Sequence, residues 1–375
     1  MDRTMLYVCQ AIVVLQALVT IGSADLMVER LDTVPLDDVA DTDDSKDNIP
    51  HATPTQEEAA SMPESMAHAM QEFMAAADLG QKMAQDGVHT QEETEKQYVK
   101  MTQLLEEMLD YMYSANNAYS FLQAKGLDTI IVPNMHITFS QLRTSLLQLL
   151  KALFDIAPTT TVTVIPDTIL DKLVDIYEQD DDLDIKTHAI ELLSVWLPGN
   201  PQAQTRVMKM RGLLPFYKQL AKLDPLLTRL TLELFNKILN EHISARNKKL
   251  QKNKADYKTF QMYQQIGLIE RLSTPMLCNG LLKIFEAVFP TSSPHKDYKD
   301  MLPPMLKLLQ VIKPHCARVY NGRPKVETLI NQVLEQVQEP STREDLEKQM
   351  INVTEVIESL TEFAQLVKLR EHTEL

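Results

Sequence analysis

The sequence predicts an all-α protein made of stacked helical repeats. Glycine is scarce, with 9 residues in a chain of 375, while methionine occurs 19 times. This composition is typical of helical proteins and not of β-sandwiches or glycine-rich phosphate-binding enzymes. Apolar residues recur at helical spacing, for example at Leu104, Met108 and Met112, which indicates amphipathic helices. The run Thr159–Ile165 is the one segment that reads as β-like.

Three glycines mark an internal repeat. Gly126, Gly212 and Gly267 each precede a leucine, and the first two are 86 positions apart, or twice 43. Repeats of about 40–47 residues are typical of armadillo and HEAT proteins. We expect each glycine to end a short helix in the left-handed conformation and to allow a sharp turn. Since one unit cannot bury its own apolar face, the units should stack as an armadillo-like helical-repeat solenoid.

One repeat can be divided into three helices from local signals. Asn200-Pro201 and Asp224-Pro225 are typical helix starts, because proline is tolerated in the first turn. The predicted helices span 200–211, 213–223 and 225–242. We expect repeats over 93–290 and a C-terminal helical cap over 291–375, closed by a single amphipathic helix.

The first 24 residues are typical of a secretory signal peptide. After Arg3, residues 4–21 carry no charge, and the small residues Gly22, Ser23 and Ala24 follow. We expect cleavage after Ala24 and no membrane association of the mature chain. The alternative is an uncleaved membrane anchor, because the apolar run is close to the shortest that spans a bilayer.

An acidic segment follows at 25–92. Between Asp25 and Glu64 there are twelve acidic and two basic residues, which accounts for most of the net charge of −15. This acidity argues against a nucleic-acid-binding protein. The segment is predicted to be a largely disordered tail that leads into a short helix around Met66, Met70 and Phe73.

The last four residues resemble the retrieval signal of lumenal endoplasmic-reticulum proteins. They are His372, Thr373, Glu374 and Leu375, and they depart from that signal at Thr373. Because such a signal is read only in the secretory pathway, the two ends together predict the endoplasmic-reticulum lumen. Asn352 begins the sequon Asn-Val-Thr, so it is the predicted glycosylation site. Cys278 and Cys316 either form a disulfide or remain two buried thiols.

Enzyme and metal sites find little support. The sequence has no His-Glu-x-x-His, nucleophile elbow, phosphate loop or Cys-x-x-Cys. Asp180, Asp182, Asp184 and Glu191 have the spacing of a calcium loop, but Ile185 stands where that loop needs glycine. We interpret these acids as a turn that favours the N-terminus of the next helix. No cofactor or metal is expected.

Two other features allow a structural and a functional interpretation. The methionines either fill gaps between core helices or line a peptide-binding groove, and core packing is the preferred interpretation. The basic run between Arg246 and Lys258 is either a solvated loop or a contact for an acidic partner, and the loop is preferred.

The segment Lys186–Glu241 resembles an armadillo unit with its flanking third helices. Its Asn200-Pro201 start, Gly212-Leu213 turn and Asp224-Pro225 opening are features of the armadillo-type nucleotide exchange factors of seventy-kilodalton heat-shock chaperones. With both terminal signals and the closing segment Glu344–Leu369, the chain is most similar to the lumenal branch of that group, the SIL-one family. The resemblance extends over residues 93–375.

The resemblance implies a co-chaperone and not an enzyme. Such a protein, expected here as a monomer, binds the nucleotide-binding domain of the endoplasmic-reticulum chaperone BiP with its concave face and favours an opened form that releases ADP. The third helix of each armadillo unit lines that face. Matching the third helices predicts a partner-binding set: Lys151, Asp155, Glu191, Val195, Glu233, Lys237 and Lys283. The alternative functions are a scaffold that binds extended client peptides and, less favoured, a calcium-dependent or hydrolytic enzyme.

Overall fold

The computed structural model describes residues 62–86, 90–246, 254–288, 300–320, 323–348 and 351–368. All of them belong to one unit, Pro54–Leu375. The regular structure of these residues is helical, and they contain no strand, as predicted. The helices are α1 (Glu64–Asp86), α2 (Gln91–Tyr111), α3 (Ala115–Gln123), a π-helical turn (Leu127–Ile131) with a short α continuation (Val132–Asn134), α4 (Ser140–Ile156), α5 (Pro158–Val164), α6 (Asp167–Gln179), α7 (Leu183–Trp196), α8 (Pro201–Met210), α9 (Leu214–Leu220), α10 (Pro225–Ala245), α11 (Lys254–Ile266), α12 (Leu268–Leu272), α13 (Pro275–Val288), α14 (Leu302–Val319), α15 (Pro324–Gln338), α16 (Pro340–Lys348) and α17 (Val353–Lys368).

Six helices form a column in which each packs against the next: α2, α4, α7, α10, α14 and α17. We call it the third-helix column, because it contains the last helix of each successive repeat. A second row runs beside it, in which α6 packs against α9, α9 against α13, and α13 against α15. The predicted armadillo-like arrangement of stacked helical repeats is therefore confirmed.

Local signals set the helices of the central repeat. The Asn200 Oδ1 accepts a hydrogen bond from the Ala203 N–H at 3.0 Å, and the Asp224 carboxylate accepts one from the Leu227 N–H at 2.9 Å. These caps satisfy N–H groups that have no partner within the helix. Gly212 has φ +61° and Gly267 has φ +59°, so both adopt the predicted left-handed conformation.

Gly126 was predicted to behave in the same way, and that prediction was wrong. It has a right-handed φ of −57°, and the preceding Lys125 takes the left-handed position with φ 59°. Glycine is required at 126 for a different reason. A Cβ at this position would lie 2.3 Å from the ring of Phe121, which is fully buried and cannot give way.

The β-like run Thr159–Ile165 is also helical, since α5 covers most of it. Its Thr161 is completely buried, and the hydroxyl donates to the carbonyls of Leu153 at 3.0 Å and Ala157 at 2.8 Å. The Leu153 carbonyl, in the last turn of α4, also accepts a hydrogen bond from the Ala157 N–H at 2.9 Å, so the hydroxyl joins α5 to the end of α4. Tertiary packing and this hydrogen bond therefore override the β propensity of the threonines and valines.

The two ends of the described chain also differ from the prediction. Near the N-terminus, α1 is 23 residues long and packs its buried Met66 and Phe73 against α2, so this part of the segment 25–92 is an integral helix. Near the C-terminus, the expected single helix is split into α16 and α17. Asn352 stands at the start of the second helix and accepts a hydrogen bond from the Glu355 N–H at 3.4 Å, which is the role of a helix-capping residue.

Aromatic side chains fill the core between the central repeats. Tyr177 and Phe216 have ring centroids 5.3 Å apart, and Phe216 and Phe235 are 5.7 Å apart. All three side chains are almost fully buried, and each contributes about 2–3 kcal/mol to folding. Across the described ranges, no helix has the length and apolar content needed to cross a bilayer.

Candidate functional site

The candidate site is the solvent-exposed side of the third-helix column over α4, α7, α10 and α14, which we call the third-helix face. On this face, two neighbouring repeats contact each other through a pair of charged side chains. The Lys151 Nζ of α4 lies 2.6 Å from the Glu191 Oε2 of α7. Their side chains are 38% and 30% exposed, so this pair is reached by solvent while being held between two helices. Two residues of the predicted set therefore meet on one surface.

His188 joins this pair from the preceding turn of α7. Its Nδ1 lies 3.7 Å from the Glu191 Oε2, and this nitrogen is buried without a hydrogen-bond partner within the described part of the chain. A carboxylate that faces an ammonium on one side and an imidazole on the other is held in one position. His188 was not predicted, because a single histidine on a helix gives no signal in the sequence.

On α10 the predicted residues are only partly free. The Glu233 Oε1 accepts a hydrogen bond at 2.9 Å from Arg229, one turn earlier, so its charge is compensated within the helix. Lys237 is exposed one turn later. The other two predicted residues of α4 and α7, Asp155 and Val195, are also exposed, and Val195 leaves 40% of its surface to solvent.

The assignment of Lys283 to a third helix was wrong. Lys283 lies on α13, which packs against α9 and α15 in the second row as well as against α14. It follows Cys278 by five residues, which corresponds to about 140° around the helix, and Cys278 is bonded to α14. Lys283 therefore points away from the column. The third helix of this repeat is α14, which lies beyond residues 289–299.

Buried polar contacts hold α10 in the column. The Tyr177 hydroxyl of α6 lies 2.5 Å from the Thr231 hydroxyl of α10, and burial raises the pKa of Tyr177 above its usual value. The Gln219 amide of α9 donates to the carbonyls of Tyr177 and Glu178, both at 2.9 Å. These carbonyls lie in the last turn of α6 and have no helical partner of their own. These bonds therefore hold α6, α9 and α10 together on the buried side of the third-helix face.

A second buried network lies near the C-terminal end of α10. The His242 Nε2 is 2.9 Å from the Gln204 Oε1, and the Gln204 amide donates to the Leu197 carbonyl at 2.8 Å. The Glu241 carboxylate accepts from the Gly199 N–H at 2.8 Å and from the Tyr263 hydroxyl at 3.0 Å. Burial lowers the pKa of His242 to about 4, so the imidazole is neutral at neutral pH.

The acidic residues spaced like a calcium loop have structural partners. The Asp182 Oδ1 caps α7 by accepting from the Asp184 N–H at 2.9 Å and the Ile185 N–H at 3.3 Å. Asp180 pairs with Arg143 of α4, and Glu191 pairs with Lys151. The interpretation as a turn at a helix N-terminus is confirmed for Asp180, Asp182 and Asp184, whereas Glu191 lies two turns further along α7.

Cys278 and Cys316 form a disulfide that joins α13 to α14. Both cysteines are fully buried. The predicted glycosylation residue Asn352 is exposed. The signal peptide at 1–24 and the retention signal at 372–375 lie outside the described residues, so the structure does not test either.

The chain matches the family model for the SIL1/FES1/HPBP1 C-terminal domain over residues 117–368. The matched region begins in α3 and ends with α17, so it includes the whole third-helix face. Among curated proteins, none matches the chain.

Proposed function

This chain belongs to the SIL1/FES1/HPBP1 family of nucleotide exchange factors, which are non-catalytic co-chaperones of Hsp70-type chaperones, and we propose that its partner is BiP in the endoplasmic-reticulum lumen. We further propose that the third-helix face, as the concave face of the solenoid, binds the nucleotide-binding domain of that chaperone. The observation that carries the proposal is the Lys151–Glu191 contact, because it places predicted partner-binding residues from two repeats on one surface.

The lumenal location is supported by the disulfide. Cys278 and Cys316 are the cysteines that remain once the predicted signal peptide is removed, and they are bonded to each other. Disulfides persist in oxidising compartments such as the endoplasmic-reticulum lumen and are rare in the cytosol. The apolar N-terminal segment and the tetrapeptide His372–Leu375 agree with the same compartment.

The mechanism needs no chemical step. A chaperone that alternates between a closed and an opened nucleotide-binding domain releases ADP more readily from the opened form. A protein that binds the opened form more tightly shifts the population toward it, and the size of the shift is set by the difference between the two affinities. A face built on rigid, stacked helices suits this task, since it does not adapt equally to both forms.

The direct test is release of labelled ADP from purified BiP. We expect the chain to accelerate release in the presence of excess unlabelled ATP. A cytosolic Hsp70-type chaperone serves as the comparison for specificity, and equal acceleration of both would contradict the assignment to BiP. A chain that accelerates neither chaperone would contradict the proposed function, and the alternative of a client-peptide scaffold would then be tested with unfolded peptides.

The role of the third-helix face is tested by exchanging the charges of its central pair. The double variant K151E/E191K keeps an ion pair between α4 and α7 but inverts its orientation. We expect unchanged thermal stability and weaker binding to the nucleotide-binding domain, because the charges of the partner must be complementary to each of the two positions. Unchanged binding would show that this pair only joins the two helices. Simultaneous charge reversal of Lys151, Glu191, Glu233 and Lys237 should weaken binding further.

We also propose that Asn352 carries a glycan. Its side chain is exposed at the start of α17, and a glycan there extends into solvent without displacing core residues. The test is the mobility of the secretory-pathway product before and after glycosidase treatment, with N352Q as the control. A wild-type product whose mobility does not change on treatment would rule out the glycan.

A further inference from the structure

We propose that the partner-binding surface continues onto α14, where Lys307 and the neighbouring Lys237 of α10 form a cationic pair that binds acidic side chains of the chaperone. This inference rests on the proposed function, because it names the residues with which the third-helix face recognises its partner. It replaces Lys283, which lies in the second row, as the basic residue of this repeat.

The direction of Lys307 follows from the disulfide. Cys316 faces α13, to which it is bonded. Lys307 precedes Cys316 by nine residues, which corresponds to about 180° around an α-helix. Lys307 is therefore on the side of α14 opposite the second row, and it is exposed there. On α10, Phe235 packs against Phe216 and Tyr217 of α9 in the second row. Lys237 follows Phe235 by two residues, about 200° around the helix, so it is exposed on the same side as Lys307.

A side-chain hydrogen bond sets the level at which the two helices meet. The Asn236 amide of α10 donates to the Pro304 carbonyl of α14 at 2.6 Å. Lys237 follows Asn236 directly, and Lys307 lies about one helical turn beyond Pro304. The two lysines therefore lie at similar heights on adjacent helices of the column.

The charges of the face differ from one helix pair to the next. Between α4 and α7, Lys151 is compensated by Glu191, and within α10, Arg229 is compensated by Glu233. Lys237 and Lys307 form no ion pair or hydrogen bond with any residue that the structure describes. On the far side of α14, toward α17, Lys313 pairs with Glu362.

Two ammonium groups that form no ion pair on the protein surface favour a partner with negatively charged groups. Residues Asp25–Glu64 account for −10 of the net charge of −15, so the rest of the chain is still slightly acidic and a local positive site does not arise from excess lysine. Ammonium groups bind carboxylates as point charges, without the fixed geometry that arginine imposes. We therefore assign the partner's contact to aspartate or glutamate side chains on its nucleotide-binding domain, and this contact should steer the encounter and fix its register.

The experiment compares two charge reversals in the full chain. In K237E/K307E, both lysines of the proposed pair are reversed, and in K283E a similarly exposed lysine of the second row is reversed. Binding to the nucleotide-free chaperone is measured by titration at two salt concentrations. We expect about a tenfold or greater loss of affinity for K237E/K307E, a weaker salt dependence than wild type, and less than about a twofold change for K283E. The neutral variant K237Q/K307Q should fall between wild type and the reversal.

The outcomes separate this inference from the proposed function. If wild type accelerates ADP release and K237E/K307E binds as tightly as wild type, the cationic pair is wrong and the proposed function stands. If K283E weakens binding as much as K237E/K307E, the effect is one of net charge and the assignment to α14 is wrong. If wild type neither binds the chaperone nor accelerates release, both proposals fail. Circular dichroism and thermal unfolding of all variants should match wild type, because the substituted lysines are exposed.

Discussion

The central helices α6–α10 and the C-terminal helices α13–α17 both contribute helices to the third-helix column and to the second row, but different bonds hold them together. In the central block, buried side chains bond to neighbouring helices about one repeat away in the sequence. Gln219 donates to the carbonyls of Tyr177 and Glu178, and the Tyr177 hydroxyl meets Thr231. These polar groups are satisfied inside the core, so they specify which helix packs where.

In the C-terminal block, a disulfide joins two neighbouring helices. Cys278 and Cys316 join α13 to α14, and the Tyr320 hydroxyl donates to the Cys278 carbonyl beside it. The side-chain hydrogen bonds and ion pairs between α14 and α17, such as that of Gln310 with Glu355 at 3.3 Å, lie at the surface. Surface contacts of this kind contribute little to stability.

The contacts of both blocks have a similar offset, 42 residues from Tyr177 to Gln219 and 42 from Cys278 to Tyr320, and the longer interval lies between the two blocks. At this offset, equivalent positions of successive repeats face each other, and a glutamine or tyrosine finds a partner. Between α10 and α14 the spacing grows, since α12 is inserted and α14 starts only at Leu302. The two blocks therefore differ in the kind of bond that joins their helices and not in the offset of their contacts.

The largest expected effect therefore comes from breaking the disulfide. In C278A/C316A the loop of 38 residues is no longer closed in the unfolded chain, and the loss of that constraint should lower the free energy of unfolding by about 4 kcal/mol. Chemical denaturation of the oxidised wild type and of the variant measures the difference. A variant that unfolds within about 1 kcal/mol of wild type would show that packing alone holds α13 to α14.

The matching experiment in the central block removes Gln219. In Q219M the side chain keeps its length but no longer donates to the carbonyls of Tyr177 and Glu178, which stay buried under the helix end. Unsatisfied buried carbonyls should lower the free energy of unfolding by about 2–3 kcal/mol. Gln336, a half-buried glutamine of α15, is the matched control, and Q336M should change stability by less than about 0.5 kcal/mol. Equal effects of the two substitutions would contradict the capping role.

These two blocks also show how far the sequence could predict the fold. The helices α8, α9 and α10 were predicted to within a few residues, because Asn200, Gly212 and Asp224 are local signals. Gly126 was misinterpreted, since its requirement comes from the Phe121 ring and not from its own backbone angle. A contact with a ring five residues earlier gives no signal at the glycine itself.

For the candidate site, too, some residues could be predicted from the sequence and others could not. Lys151 and Glu191 were predicted together because they lie in repeats of regular spacing, and the structure brings their side chains into contact. Lys283 was assigned by matching its helix to the third helices of the other repeats, but α13 packs in the second row and α14 has the position in the column. The hydrophobic pattern of a helix does not show in which row it packs.

Acid should weaken the central block first. Burial lowers the pKa of His242 to about 4, whereas an unfolded histidine titrates near 6.5. The unfolded chain therefore takes up a proton at higher pH than the folded one. The neutral, buried His242 therefore stabilises the fold fully above pH 6.5. As the pH falls toward 4, the free energy of unfolding should decrease by about 2 kcal/mol. Unfolding free energies between pH 7 and pH 4.5 measure this slope.

His315 on α14 provides the comparison for that slope. Burial lowers its pKa too, but it is only half-buried, while His242 is 3% exposed. We expect H242Q to flatten the pH dependence more than H315Q does. The reverse order would place the acid-sensitive contact in the C-terminal block and contradict the assignment to the network of Gln204 and His242.

The smallest expected effect concerns the ion pairs on the outside of the two blocks. Arg206 of α8 makes two bonds of 2.6 Å to the Asp171 carboxylate of α6 and a third, of 3.0 Å, to Asp167, whereas Arg343 pairs with Glu347 within α16. R206A should lower the free energy of unfolding by about 1 kcal/mol and R343A by about 0.3 kcal/mol, because only the first joins two helices in a bidentate geometry. Both effects should shrink at high salt. If R206A lowers the free energy of unfolding no more than R343A does, the surface ion pairs stabilise the two blocks equally. Any greater stability of the central block then comes from its buried hydrogen bonds.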